Sequence, residues 1–170
     1  MRKEAEKKNS NMQEMERVIR QYSDMVYRLA FARVGSKHDA DEIYQEVFYR
    51  YVRKRPVFVS EDHAKNWFLR VTLNCANSFF TSPWRRRTES LSEEIPYLDE
   101  ERLELWQELS KLPEKYRQVL HLFYYEEMSV AEISGLLRRR ESTVRTQLTR
   151  ARKLLREILE EEGFHADENF

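Results

Sequence analysis

Apolar side chains at Met15, Ile19, Tyr22, Val26 and Leu29 recur at steps of three and four, the spacing that lines one face of an α-helix. The helix they predict ends near Gly35. A second begins at Asp39-Ala40-Asp41-Glu42, where a capping acid is followed three residues later by Glu42. It sets Ile43, Val47 and Tyr51 on one side and stops before Pro56, which can neither donate a backbone hydrogen bond nor fit a helix interior. After a loop from Arg55 to His63, the positions Ala64, Trp67 or Phe68, Val71 and Cys75 predict a third helix to about Phe80. Trp67 and Phe68 fall on its apolar side and are expected in the core.

From Thr81 to about Glu101 the periodicity fades into Ser82-Pro83, the triplet Arg85-Arg86-Arg87, Pro96 and scattered acids, the pattern of a solvated linker. Beyond it Leu103, Trp106 and Leu109 restart a helical spacing. Pro113 resets the chain at the favoured first position of another helix, which carries Tyr116, Val119 or Leu120, and Phe123. Ser129-Val130-Ala131-Glu132 has the form of a capping box, and Ile133, Leu136 and Leu137 give the short helix behind it a buried side. After a turn at Arg138, Ser142 is expected to cap a longer helix with Val144, Leu148, Ala151, Leu155 and Ile158 spaced by four, three, four and three. A short capped helix, a tight connection and a longer helix form a helix-turn-helix.

The opposite side of that last helix carries Arg145, Thr146, Thr149, Arg150, Arg152 and Lys153. A basic polar face is often only the solvated side of a helix, but here the charge is concentrated. From Arg138 to Arg156 eight basic residues stand against one acid, whereas from Glu89 to Glu108 eight acids stand against one base. The chain as a whole has 30 Lys+Arg and 30 Asp+Glu, which excludes a generally basic coat and makes the segregation informative. In the major groove Arg can bond guanine twice, and Thr can exchange hydrogen bonds or pack on the thymine methyl. Ser142 and Thr143, at the helix start, can offer backbone N–H groups to a phosphate.

With 170 residues, 3 Gly, 4 Pro and 35% charged residues, the fold class expected is all-α: two small helical domains joined by a flexible linker, the C-terminal one a helix-turn-helix. The boundaries read from the pattern are a frayed tail at 1–11, an N-terminal domain at 12–82, a linker at 83–101, a C-terminal domain at 102–160 and a second tail at 161–170. A single cysteine, Cys75, excludes an internal disulfide. No apolar run is long enough to span a bilayer and no secretory signal is evident, so a cytoplasmic protein without membrane insertion is expected. The four histidines have no metal-ligand spacing, and no nucleophile–base pair or Gly-rich phosphate loop stands out. Neither a metal, a cofactor, a catalytic residue nor an enzyme activity is expected.

The stretch from Leu112 to Leu155, LPEKYRQVLHLFYYEEMSVAEISGLLRRRESTVRTQLTRARKLL, closely resembles the C-terminal domain of extracytoplasmic-function sigma factors of the sigma-70 family. Asp39 to Val52 looks like that family's polymerase-binding segment, and NWFLRVTLNCANSFF with the trailing arginines resembles its promoter-opening helix. The resemblance covers most of residues 12–160. It implies an alternative sigma factor, with Arg145, Thr146, Thr149, Arg150 and Lys153 reading the −35 element and Ser142 and Thr143 holding its backbone. It implies that the −10 element, melted to a single strand, meets the loop from Arg55 to His63 and the residues His63, Lys65, Asn74, Asn77, Arg85 and Arg86. It further implies that Asp39, Asp41, Glu42, Gln45, Glu46, Phe48 and Tyr49 dock on the clamp coiled coil of the largest subunit of core RNA polymerase, and that an anti-sigma factor restrains the chain.

The chain departs from the family pattern in the turn, where Arg140-Glu141-Ser142-Thr143-Val144 replaces a Pro-x-Gly-Thr-Val pattern, and at Ser78, where an acid is common. The acids from Asp39 to Glu46 also favour the dipole of their own helix, about 0.3–1 kcal/mol each. Two other classes stay open at this level. One is a helix-turn-helix repressor or activator that binds duplex DNA unaided, and the other is an adaptor that binds proteins alone.

Overall fold

The computed structural model describes residues 2–81 and 109–161, with side chains from residue 9 onward. Every regular element among them is helical. The elements are α1 (Arg2–Val34), α2 (Lys37–Lys54), α3 (Glu61–Thr81), α4 (Glu114–Leu120), a wider π-helical turn at His121–Tyr125, α5 (Val130–Leu137) and α6 (Glu141–Glu161). The linker expected at 83–101 lies outside the described residues, as do Arg85, Arg86, Leu103 and Trp106. Helix α1 begins at Arg2 and so runs through the segment read as a frayed tail.

The chain divides into two compact units. The first, the chain up to Ala30 and from His38 through α3, is organised around Phe68, which is fully buried. Tyr22 of α1 stacks on it at 4.7 Å, while Phe48 and Tyr51 of α2 lie at 5.6 and 5.4 Å and Trp67 packs edge-on at 4.9 Å. Rings at such separations favour tilted and edge-to-face pairs, which add to the burial of their large apolar area. Val26, Leu29, Ile43, Val47, Leu69, Leu73 and Cys75 are also buried. Burial pushes the Cys75 thiol up from its ordinary pKa.

The second unit takes in Phe31–Lys37 and the C-terminal elements. Gly35 adopts φ +69, a left-handed conformation that ends α1, and a Cβ there would stand 3.3 Å from the Arg117 guanidinium. That guanidinium is buried and donates to the carbonyls of Ala32, Ser110 and Leu112; burial lowers its pKa. Pro113 is the residue before α4, at φ −53 and ψ 139, and not its first helical residue as expected. The core of this unit is mainly aliphatic: Val119, Leu120, Leu122, Ile133, Val144, Leu148, Ala151 and Leu155. His121 and Glu126 are buried with Nε2 and Oε1 3.2 Å apart, and His121 stacks on Tyr125.

Candidate nucleic-acid interface

The capping box before α5 forms as its sequence requires. Ser129 Oγ accepts the Glu132 N–H at 3.2 Å, and Glu132 Oε2 accepts the Ser129 N–H at 2.8 Å. Helix α5 then ends on Arg138, at φ 53 and ψ 44. A left-handed residue at this position redirects the chain, and glycine commonly fills it. Here an arginine does.

The start of α6 differs from the sequence expectation. Arg140 O accepts the N–H groups of Thr143 and Val144 at 3.0 and 3.1 Å, and Glu141 is already helical. Ser142 therefore lies inside the first turn and is not the cap. Its carbonyl accepts the Thr146 hydroxyl at 2.9 Å, and the Arg145 carbonyl accepts that of Thr149 at 3.0 Å. Val144, Leu148, Ala151 and Leu155 are buried, while Ser142, Thr143, Arg145, Thr146, Thr149, Arg150 and Lys153 are all exposed. At about 100° per residue, Ser142, Arg145, Thr146, Thr149 and Lys153 share one side of the helix, with Arg150 and Thr143 at its edge. The expected reading face is thus assembled on one exposed surface. Arg145 makes an ion pair with Glu141 at 2.8 Å; for exposed groups one turn apart this is worth only about 0.3–0.5 kcal/mol.

Two arginines of the same basic segment are engaged within the fold. Arg152, read from sequence as part of the polar face, donates to Tyr124 Oη at 2.8 Å. Arg139 donates to Gln147 Oε1 at 3.1 Å and to Gln118 Oε1 at 3.5 Å. Helical spacing alone carries no sign of these partners, which lie on other elements or across the turn.

In the first unit, Glu42, Gln45, Glu46 and Tyr49 are exposed along one side of α2, with Val52 continuing the stripe. Glu46 pairs with Arg50 at 2.6 Å. Asp39 is half-buried and 3.5 Å from His38 Nδ1. Asp41 is half-buried too, and it faces Tyr27 of α1. Burial, then the negative charge of Asp41, push the Tyr27 hydroxyl up to about 12. Phe48 does not belong to this surface, contrary to expectation. It is buried against Tyr44 at 4.8 Å and Phe68 at 5.6 Å. Helix α2 packs both on α1 and on α3, so its apolar arc is wider than the Ile43-Val47-Tyr51 stripe.

The loop between α2 and α3 is held by its middle residue. Phe58 packs among Tyr51, Trp67 and Phe68 at 6.3, 5.8 and 6.0 Å. Its neighbours Val57 and Val59 are 86% and 87% exposed; nothing in a run of three apolar residues marks which of them faces outward. His63 serves the loop: Nδ1 accepts the Val59 N–H at 3.3 Å, and the ring stands edge-on to Phe58 at 5.7 Å. Lys65 is half-buried, and Asn74 and Asn77 are exposed along α3. Among the described residues no group of three or more His, Cys, Asp or Glu is placed to hold a metal ion. No helix among them is long and apolar enough to cross a membrane.

A helix-turn-helix with a cationic, hydroxyl-rich outer face, in a chain whose other helical unit carries an acidic and aromatic stripe, is the arrangement found in DNA-binding transcription factors of two modules. Comparison with known families then gives the particular class. Residues 18–86 match the family model for sigma-70 region 2, and residues 102–155 match that for sigma-70 region 4. Among curated relatives, the chain is 29% identical over 161 residues to the ECF RNA polymerase sigma factor SigE of Mycolicibacterium smegmatis, covering 87% of this chain and 62% of that protein. It is 28% identical to SigW of Bacillus subtilis over 158 residues, covering 81% and 84% of the two chains. The fold is similar to that of the sigma factor RpoE of Bartonella quintana, solved with the anti-sigma factor NepR, at a TM-score of 0.71 and 16% identity over 87% of this chain and 98% of that one. It is also similar to CnrH, solved with the cytosolic domain of CnrY, at 0.59 and 18% over 92% and 94%. The chain belongs to the sigma-70 family, in its extracytoplasmic-function group, and is an alternative sigma factor, the class that directs promoter-specific transcription.

Proposed function

We propose that the chain binds core RNA polymerase through its first module, residues 12–82, and reads the −35 element through its second, residues 102–160, with residues 83–101 as the tether between them. The observation that carries this reading is the outer face of α6, where Arg145, Thr146, Thr149, Arg150 and Lys153 stand exposed and opposite the buried stripe. The two arginines and two threonines read base edges in the major groove. Lys153, Ser142 and Thr143 hold backbone phosphates. Glu42, Gln45, Glu46 and Tyr49 dock on the clamp coiled coil of the polymerase's largest subunit, with Asp39 and Asp41 contributing negative potential behind them.

The −10 element meets the loop from Arg55 to His63 and the outer side of α3 through Lys65, Asn74 and Asn77, and Arg85 and Arg86 contact the backbone of the opened strand. Capture of an unstacked base stabilises the melted state by binding alone, so the chain is a specificity subunit and not an enzyme. It acts in the cytoplasm, and an anti-sigma factor restrains it, as one accompanies the structurally similar sigma factor RpoE.

The test is transcription in vitro with bacterial core polymerase on a pool of promoter fragments. Start sites that appear only with this chain, and that share a −35 and −10 pair, are expected. A chain that never associates with core polymerase, yet binds a duplex operator unaided, would overturn the reading in favour of a repressor or activator.

A further inference from the structure

The buried stripe of α6, Val144, Leu148, Ala151 and Leu155, fixes which side of the helix faces its support. Two side chains flank the stripe. At about 100° per residue, Gln147 and Arg152 lie roughly 140° apart, one on either side of the stripe. Each is held by a residue from outside α6. On one flank Arg139 reaches Gln147 at 3.1 Å and also Gln118 of α4 at 3.5 Å. Arg139 is itself fixed at its backbone, its N–H donating to Ser134 O at 3.1 Å and its carbonyl accepting the Ser134 hydroxyl at 2.5 Å. It is half-buried, and burial lowers its pKa. On the other flank Arg152 donates to Tyr124 Oη at 2.8 Å, and its guanidinium lies over the rings of Phe123 and Tyr124 at 5.3 and 5.6 Å. A planar guanidinium that lies over aromatic rings while also hydrogen-bonded is geometrically demanding.

We propose that Arg139 and Arg152 are positioning residues that clasp α6 from its two flanks and set its roll, and so fix which bases Arg145 and Arg150 face. The two are therefore absent from the set of phosphate-binding cations, although they stand in the most basic segment of the chain. This inference rests on the −35 reading proposed above. A rotation of α6 would sweep its long outer side chains across neighbouring base edges, whereas loss of a phosphate contact would weaken all duplexes alike. The two roles predict different measurements.

The test uses holoenzyme assembled from the full chain and core polymerase. The probes are a duplex selected by the wild-type holoenzyme from a randomised pool and the same duplex with its selected −35 bases scrambled. Arg152→Met is expected to reduce the preference between the two by about tenfold and Tyr124→Phe by less, since the latter removes the hydrogen bond and keeps the ring contacts, and together they should reduce it by no more than Arg152→Met alone. Arg139→Gln and Gln147→Ala should behave in the same way on the other flank. The salt dependence of binding to the scrambled duplex should stay at the wild-type slope for all four, while Lys153→Ala lowers it by about 0.9, the value for one lost phosphate contact. Tyr124→Phe and Gln147→Ala change no charge, so their effect cannot arise from lost phosphate attraction. The proposal is overturned if the arginine variants lower the salt slope as Lys153→Ala does while Tyr124→Phe and Gln147→Ala leave the preference intact. A wild-type holoenzyme with no preference at all would sink the −35 reading instead. In that event, additive effects of each pair on the thermal unfolding of the full chain would overturn the clasps as well.

Discussion

The first unit buries rings and the second buries branched aliphatic chains, and the difference bears on what each presents. Around Phe68 the rings of Tyr22, Phe48, Tyr51, Phe58 and Trp67 come from three helices and a loop. The same cluster that stabilises the unit therefore shapes the α2–α3 loop, with Val57 and Val59 turned outward on either side of an anchored Phe58. In the second unit Val144, Leu148, Ala151 and Leu155 hold α6 by a narrow stripe, with polar contacts at its flanks. A core of large rings fixes a loop through packing, whereas a core of methyl groups leaves fine alignment to hydrogen bonds.

The most severe way to break this comparison is Phe68→Ala, expected to cost about 3–5 kcal/mol. Hydrogen exchange should show α1–α3 losing protection while α5 and α6 retain theirs; simultaneous loss in both would mean that the units do not fold independently. Arg150→Ala or Arg145→Ala should each cost about 1–3 kcal/mol in binding to the preferred −35 duplex, with relaxed selection at one base pair, read by competition between single-base variants. The double change Glu42→Lys with Glu46→Lys addresses the other unit. It should weaken polymerase association by about tenfold, or ~1.4 kcal/mol, at every promoter while leaving duplex selectivity alone, and holoenzyme of normal affinity would remove α2 from the docking surface.

Smaller effects sharpen the account of the second unit. Ser129→Ala removes a formed capping box and should cost about 0.5–2 kcal/mol of its stability, measured by thermal unfolding. Glu141→Gln frees Arg145 from its exposed ion pair and takes a negative charge from the DNA side. Duplex affinity should rise by a few tenths of a kcal/mol, an increase that fades as salt is added.

Much of this was legible in the sequence. The Ser129–Glu132 box and the Val144-Leu148-Ala151-Leu155 stripe are local, and both formed where the pattern put them. Phe48 escapes a reading by spacing because a helix wedged between two partners buries more than one stripe, and spacing alone does not count partners. A hydroxyl at a helix start usually caps it, which is why the sequence points to Ser142 as the cap. The left-handed Arg138 instead turns the chain early enough for Glu141 to begin the helix. Arg152 looked solvated because nothing in the linear pattern brings Tyr124, 28 positions away, to its guanidinium. Local hydrogen-bonding and periodicity could be read; tertiary pairing could not.

Cys75 has a practical consequence. It is the chain's only cysteine, and it is buried on α3 with its thiol pushed toward the protonated, unreactive form. Maleimide reagents should pass it over, so fluorophores attached at cysteines newly placed on exposed sites of α2 and α6 would report on both units without first stripping the native thiol. Single-molecule distance measurements through the opening of a promoter are then within reach on a nearly unaltered polypeptide.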